Sequence, residues 1–480
     1  MASISSAGIG SGLDVGSIIT QLMTVEKAPL TQMQKDASKV QSKLSAYGTI
    51  QSDVAALRDA AQKLTQPSTW GDTTATSTDS SVVTATTDSS ATAGNYSLTV
   101  QQLASAQTLA STAWPASLST LGSGRLRIEM GSWAAGQTSF TAKSGSTATE
   151  VVVLATDTLA DVRDKINSAK SGVMASIVND ASGARLVLRA SETGAANAFR
   201  ISATDDDGDN TDKSGVSALA FDPSANVNAM AQTQAALDAQ ATINGLSVTS
   251  SSNTLTNVID GVTLKVGKVS SSPVGLSIES NTASMKTAVT AFADAYNNLA
   301  KYLSTQTAYN AGSKTGGTLQ GDSGTNSLRS AMRSIIGDTG TMSGAYTRLA
   351  DVGLNPQGDG TLKVDTTKLD NALSGHLSDV KAVFAASDSN STTGNGFGTR
   401  LREWGDRLLS FDGSLTTRST SLQHELDANS KKQSDFNNRM TAVETRLRAQ
   451  YTALDANMAK LNALSSYVTQ QITTMNKNSS

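Results

Sequence analysis

SLQHELDANSKKQSDFNNRMTAVETRLRAQYTALDANMAKLNALSSYVTQQITTM, residues 421–475, carries apolar side chains that advance by threes and fours. Leu422, Leu426, Phe436, Met440, Val443, Leu447, Leu454, Met458, Leu461, Leu464, Val468, Ile472 and Met475 share one stripe, with Asn429, Gln433 and Gln450 as polar positions along it. The period is helical, and the stripe is a heptad seam. An unbroken helix over 422–475 spans about 80 Å at 1.5 Å per residue. Such a helix is not stable alone, so the seam needs a partner.

The other end of the chain offers one. Asp14 reads as an N-cap for a segment in which Ile18, Ile19, Leu22 and Val25 fall at helical spacing. Pro29 bends or restarts that helix. Beyond it Leu30, Met33, Ala37, Val40, Leu44 and Tyr47 step by threes and fours, and Val54, Leu57, Ala61 and Leu64 continue with polar Gln51 in the gap. The two narrow seams pair with each other within one chain or with those of neighbouring subunits. Both use Met, Ala and Gln where Ile or Leu would grip harder, so the ends are expected to be marginal alone and to order on assembly. Met1–Asp14, with Gly8, Gly10 and Gly12, reads as a flexible terminus. It lacks the preceding strand and the spacing of a dinucleotide fingerprint.

Between the ends the period changes. The Ser/Thr/Asp stretch from Thr65 to Gly94 shows little pattern apart from Val82 and Val83, and places a boundary near residue 75. Then Tyr96, Leu98 and Val100 alternate with polar residues, as do Leu126 and Ile128, and Val151 to Leu154 reads as a short buried run. A short helix, Leu159 to Ser168, interrupts the strands. Asn244-Gly245 and Asp260-Gly261 mark hairpin turns in a second β segment from Ala241. Helical spacing returns at Val289, Phe292, Tyr296, Leu299 and Leu303, then at Leu328, Met332, Ile335 and Ile336, and at Leu401, Trp404 and Leu408. The expected fold is α+β: terminal helices paired as a coiled coil, a helical bundle domain, and antiparallel β-rich middle domains. The expected segments are 1–44, coiled coil; 45–75, a helix of the helical domain; 76–106, the start of a β domain; 107–235, an inserted β lobe; 236–280, the return of the β domain; 281–420, the helical domain; and 421–480, coiled coil.

Composition narrows the function. Of 480 residues only 38% are hydrophobic and 4% aromatic, which suits an elongated or assembling chain better than one compact globule. Thirty-eight basic and 41 acidic side chains leave a net charge of −3, giving no pull toward nucleic acid or an anionic bilayer. The absence of cysteine excludes thiol catalysis, thiolate metal sites and disulfides. No cleavable secretory signal and no membrane insertion are expected. Gly321-Asp322-Ser323-Gly324 imitates a serine-protease nucleophile, but His376 and His424 both follow it, the wrong order for that triad, so it reads as a turn opening a helix. Asp205, Asp206, Asp207, Asp209 and Asp212 fail the spacing of a calcium loop, since with Gly208 at the sixth position Ser214 would hold the twelfth. Trp70, Trp114, Trp133 and Trp404 are too scattered for a stacking platform. The expectation is no catalytic residue, no metal and no cofactor.

Several blocks carry a resemblance: ISSAGIGSGLDVGSIITQLMTVEKAPL (4–30), YSLTVQQLASAQ (96–107), TLADVRDKINSAKSGVMASIVND (158–180), INGLSVTSSSNTLTNVIDGVTLKV (243–266), LQGD (319–322), LADVGLNPQGDGTLKVDTTKL (349–369) and VFAAS (383–387). In this order they resemble the flagellar hook-associated protein two family of filament-capping proteins, most weakly in the lobe 107–235 outside its 158–180 block. The resemblance implies a secreted subunit, exported by the flagellum's own type III apparatus, that sits at the filament tip as a closed ring of about five or six copies. It implies flagellin as the partner that the cap helps to fold and insert, contact with hook-filament junction proteins, and coiled-coil legs. Leg positions would be Leu22, Val25, Leu30, Met33, Val40 and Leu44 with Val443, Leu447, Leu454, Leu461 and Val468. A cytoplasmic export chaperone would bind around Leu454, Met458, Leu461, Val468 and Ile472. The alternative is a tip-exposed adhesin that binds host or surface glycans through its β domains.

Overall fold

The computed structural model describes residues 14–339, 344–388 and 394–478; the expected flexible stretch from Met1 lies outside them up to Leu13. The helices in chain order are α1 (Val15–Glu26), α2 (Ala28–Thr65), α3 (Pro67–Trp70), α4 (Leu159–Ser168), α5 (Thr282–Thr307), α6 (Ser323–Gly337), α7 (Thr366–Gly375), α8 (Leu377–Ala385), α9 (Phe397–Leu409) and α10 (Ser414–Asn478). With antiparallel sheets between α3 and α5, the chain is α+β, as the sequence leads one to expect. Its internal contacts separate a helical unit, drawn from the chain up to Trp70 and from Thr282 onward, from a β-rich unit, Gly71–Asn281.

In the helical unit α2 is the axis. Its Ile50, Val54, Leu57, Ala61 and Leu64 are fully buried, one helical stripe, against Val289, Phe292 and Tyr296 of α5 and Phe384, Phe397 and Leu401 of α8 and α9. Trp70 stacks on Phe384 at 5.8 Å. The helix does not run to residue 75. It stops at Thr65 because Pro67 begins α3, whose side chains serve the last carbonyls of α2: Thr69 Oγ1 donates to Lys63 O at 2.6 Å and Trp70 Nε1 to Leu64 O at 2.8 Å. At the other end α10 starts at Ser414, ahead of the first heptad residue, and puts Leu415 and Leu422 into the same core.

The β-rich unit has two cores. The first lies between a five-stranded sheet, in the order Thr73–Ser77, Val274–Ser280, Gly94–Gln102, Ala239–Ile243 and Leu246–Ser250, and a three-stranded sheet of Thr254–Ile259, Val262–Val266 and Val83–Thr87. Two of these strands, Thr73–Ser77 and Val83–Thr87, lie in the stretch that looked unpatterned. Asn244 and Gly245 both take positive φ, as the tight turn between their strands requires.

The second core gathers apolar residues from Ala106 to Met230 around a sheet centred on Gly124–Trp133 and Ala198–Asp205, a second sheet containing Val173–Asp180 and Gly183–Ala190, and α4. Thr158 and Asp161 form a reciprocal capping box at the start of α4, which buries Leu159, Val162 and Ile166. Val151 to Leu154 is not a wholly buried run. Val151 and Val153 point inward while Val152 and Leu154 are half exposed, because the strand pairs on one sheet and has a free outer face.

Candidate functional site

Asp14 caps α1, its Oδ1 accepting from the Ser17 amide at 2.9 Å. The helix then buries Val15, Ile19 and Met23, one residue per turn, in one cluster with Phe436 and Met440 of α10. Leu30 and Met33 of α2, with Val443, Leu447 and Tyr451 of α10, flank this small cluster. Val40 lies in the main core and Leu44 packs on it, so the seam merges with the body of the helical unit. The two strands of the pair run antiparallel, which sets their helix dipoles in opposition.

Two features soften the pair. Lys27 interrupts the helix between α1 and α2, yet its amide still reaches Met23 O at 3.0 Å and its carbonyl accepts from Leu30. Asn429 and Gln433 occupy half-buried seam positions and bond to each other at 2.6 Å, filling space without strong apolar adhesion. Arg439 covers the Phe436 ring at 5.0 Å.

At the base of the pair three elements are tied by one polar cluster. Tyr47 of α2 donates its hydroxyl to Asp322 Oδ1 at 2.6 Å, Asp322 caps α6 through the Thr325 amide at 2.9 Å, and Arg418 of α10 stands 3.6 Å from Asp322. Burial works to raise the Asp322 carboxyl, but the hydrogen bonds from Tyr47 and Thr325 and the charge of Arg418 outweigh it and hold the group below its ordinary value. Burial, then the bond to Asp322, pushes the Tyr47 phenol up. Gly321 to Gly324 is thus the turn that opens α6. The cleft beside Ser323 is lined by Tyr47, Asp322, Leu328, Leu415 and Arg418, with no histidine among its walls.

Of the expected leg positions, the structure brings together Leu30, Met33, Val443 and Leu447, and seats Val40 and Leu44 in the adjoining core. Leu22 and Val25 do not join them: they are 41% and 74% exposed, on the side of α1 away from α10. Val15 and Met23 take that role, and stepping back through Pro29 in the register of Leu30 and Met33 leads to them. Gln450 faces solvent rather than the seam.

Beyond Tyr451 the stripe of α10 continues with no covering helix among the described residues. Leu454, Leu461, Leu464, Tyr467, Val468, Ile472 and Met475 are all exposed, and Met458 is half-buried. Patches of this kind on a folded surface mark interaction sites. The expected chaperone positions lie on this overhang, and so do three expected leg positions, Leu454, Leu461 and Val468, which no helix covers among the described residues.

The other candidates have local explanations. Asp205 is buried and accepts from the Ser217 amide at 3.1 Å, Asp209 from Thr211, and Asp212 from Ser214, so these carboxylates brace their own loop. No group of three or more His, Asp or Glu among the described residues is arranged to hold a metal ion. No described helix is long and apolar enough to cross a membrane.

Comparison with known proteins gives three family matches: "Flagellar hook-associated protein 2 C-terminus" over residues 236–463, "Flagellar hook-associated protein 2 N-terminus" over residues 11–107, and "Flagellin hook IN motif" over residues 139–192, which widens the likeness within the lobe. The flagellar hook-associated protein 2 of Escherichia coli K12 is 32% identical over 483 residues, covering 98% of this chain and 98% of its own. The B-type flagellar hook-associated protein 2 of Pseudomonas aeruginosa is 30% identical over 502 residues, 99% of this chain and 98% of its own. The solved D1-D2-D3 domains of the flagellar cap protein FliD from Escherichia coli match at a TM-score of 0.63 and 28% identity, over 79% of this chain and 99% of that one.

Proposed function

Because the chain belongs to the flagellar hook-associated protein 2 family, we propose a working scheme for it as the cap at the distal tip of the bacterial flagellar filament. It is an extracellular structural protein needed for filament elongation and motility. In this scheme about five or six copies close into a ring, with the paired ends as legs over the growing end. Emerging flagellin folds and inserts beneath the ring instead of leaking away, and contacts to the hook-filament junction proteins place the first ring. Its role in this scheme is structural, as the names of its relatives suggest.

One observation carries the reading. Among the described residues, the apolar stripe of α10 is covered by α1 and α2 only as far as Tyr451 and then runs on uncovered. A cap must hold the filament yet move as each subunit adds. Many small contacts can be broken singly, whereas one large apolar interface would lock the ring. Before export, the chaperone would shield Leu454, Met458, Leu461, Val468 and Ile472, and afterwards flagellin would take its place. The relatives above are named for flagellar assembly, so the glycan-adhesin alternative is set aside.

The test is deletion of the gene, with swimming and soluble flagellin in the medium as readouts, complemented by the full chain and by a chain ending after Thr420. Loss of filaments with leaking flagellin, rescued by the full chain alone, supports the scheme. Normal filaments in the deletion strain would end it.

A further inference from the structure

The lobe built around the second β core carries two surface grooves of opposite charge that share one helix end. The first is lined by Met130, Lys143, Lys170 and Glu192, and past Lys170 it continues along Met174 and Arg189. Three cations face one acid there, and Met174 is 54% exposed. The second has Ser168 and Ala169 of the α4 end in its wall and is lined by Glu150, Asp157, Asp161 and Asp164 against Lys165. Val152, half exposed, lies in it, and exposed Leu154 follows in the chain. Asp157 is bound to Lys165 and to the Leu154 amide, and Asp161 to the α4 cap. The exposed Glu150 and Asp164 pair with arginines, Arg125 at 3.9 Å and Arg163 at 2.7 Å, and such exposed pairs exchange readily.

We propose that these grooves meet between copies of this chain, the acidic groove of one against the cationic groove of the next, with Val152 and Met174 as the apolar contacts inside a charged rim. Each groove supplies what the other lacks, and both belong to one lobe of a chain whose net charge is only −3. If each subunit gives its acidic groove to one neighbour and its cationic groove to another, the contact is head-to-tail, the kind that closes into a ring; if both grooves engaged the same neighbour, the product would stop at a two-fold dimer. The inference deepens the ring reading above and rests on it.

The full chain is studied by analytical ultracentrifugation over a range of salt concentrations. Lys170→Glu with Arg189→Glu should lower the association constant by about tenfold or more, and Glu150→Lys with Asp164→Lys should do the same, since like charges then face each other. All four substitutions in one chain exchange the signs of both grooves and should restore association and its salt dependence. These residues are all exposed, so folding is checked by the same melting curve for every variant. Wild-type chain that stays monomeric at every concentration would overturn the ring reading itself. Wild-type assembly that the single-groove reversals leave unchanged, or that the four-fold exchange fails to restore, would overturn the groove pairing and leave the ring standing.

Discussion

Replacing Ile19 with alanine should open the far end of the helix pair without unfolding the body it grows from. Ile19 is 2% exposed and is one of the three residues that α1 buries in the cluster with Phe436 and Met440. Truncating a buried Ile costs about 2–4 kcal/mol, which is roughly a 30- to 700-fold rise in the open population. The cluster is small and joins the main core only through half-buried seam positions, so that loss is expected to be local. Hydrogen exchange read by mass spectrometry is the assay. Peptides covering 15–26 and 436–451 should lose protection by about that factor, and peptides covering 50–64 and 285–303 should not change. Leu57→Ala, at a fully buried position of the main core, is the contrast and should lower the urea midpoint of the whole helical unit. If Ile19→Ala lowers that midpoint as much as Leu57→Ala does, with exchange rising evenly, the pair and the body unfold together and the softness argued for the legs is wrong.

Tyr47→Phe removes a hydrogen bond to a carboxylate and should cost about 1.5–3 kcal/mol in urea unfolding. The Asp322 carboxyl titrates lower when folded than when unfolded, so its contribution is complete above the unfolded value of about 3.9 and fades as pH falls through the folded one. The stability gap between wild type and Asp322→Asn should therefore be widest near neutral pH and narrow in acid. Gly183 has φ of +130°, and a Cβ there would stand 2.1 Å from the Trp114 carbonyl, so Gly183→Ala should cost at least about 1–3 kcal/mol in thermal melting of the β-rich unit. A chain ending after Thr452 keeps every residue of the covered seam. It should melt like wild type yet fail to restore filaments, and restored swimming would show that the overhang is dispensable.

The heptads made α2 and α10 legible because a seam repeats its signal over many turns. Thr158 with Asp161 before Leu159, Val162 and Ile166 announced α4, and Asn244-Gly245 announced its turn. Other parts lacked a signal. The strands TTATS and VTATT are built almost wholly of Thr, Ser and Ala, so their two faces scarcely differ in polarity. The face of α1 was misplaced because Pro29 suggested a new start, whereas hydrogen bonds span the interruption at Lys27 and the register carries through to Met23, Ile19 and Val15. Asp322 was readable as the opening of a helix, but Tyr47 and Arg418 come from distant parts of the chain and only folding brings them to it.

The ends of the β-rich unit lie side by side. Thr73 pairs with Ser280 across neighbouring strands, and Asn281 bonds to Asp72 through both its amide and its side chain. Once that unit has folded, α3 and α5 are joined by what amounts to a short loop, however long the chain between them. The entropy of bringing α2 against α5 in the helical core is then that of a small ring, not of the whole contour between them. The same doorway makes the unit exchangeable: another domain with paired terminal strands could occupy the place while the helices on either side kept their spacing.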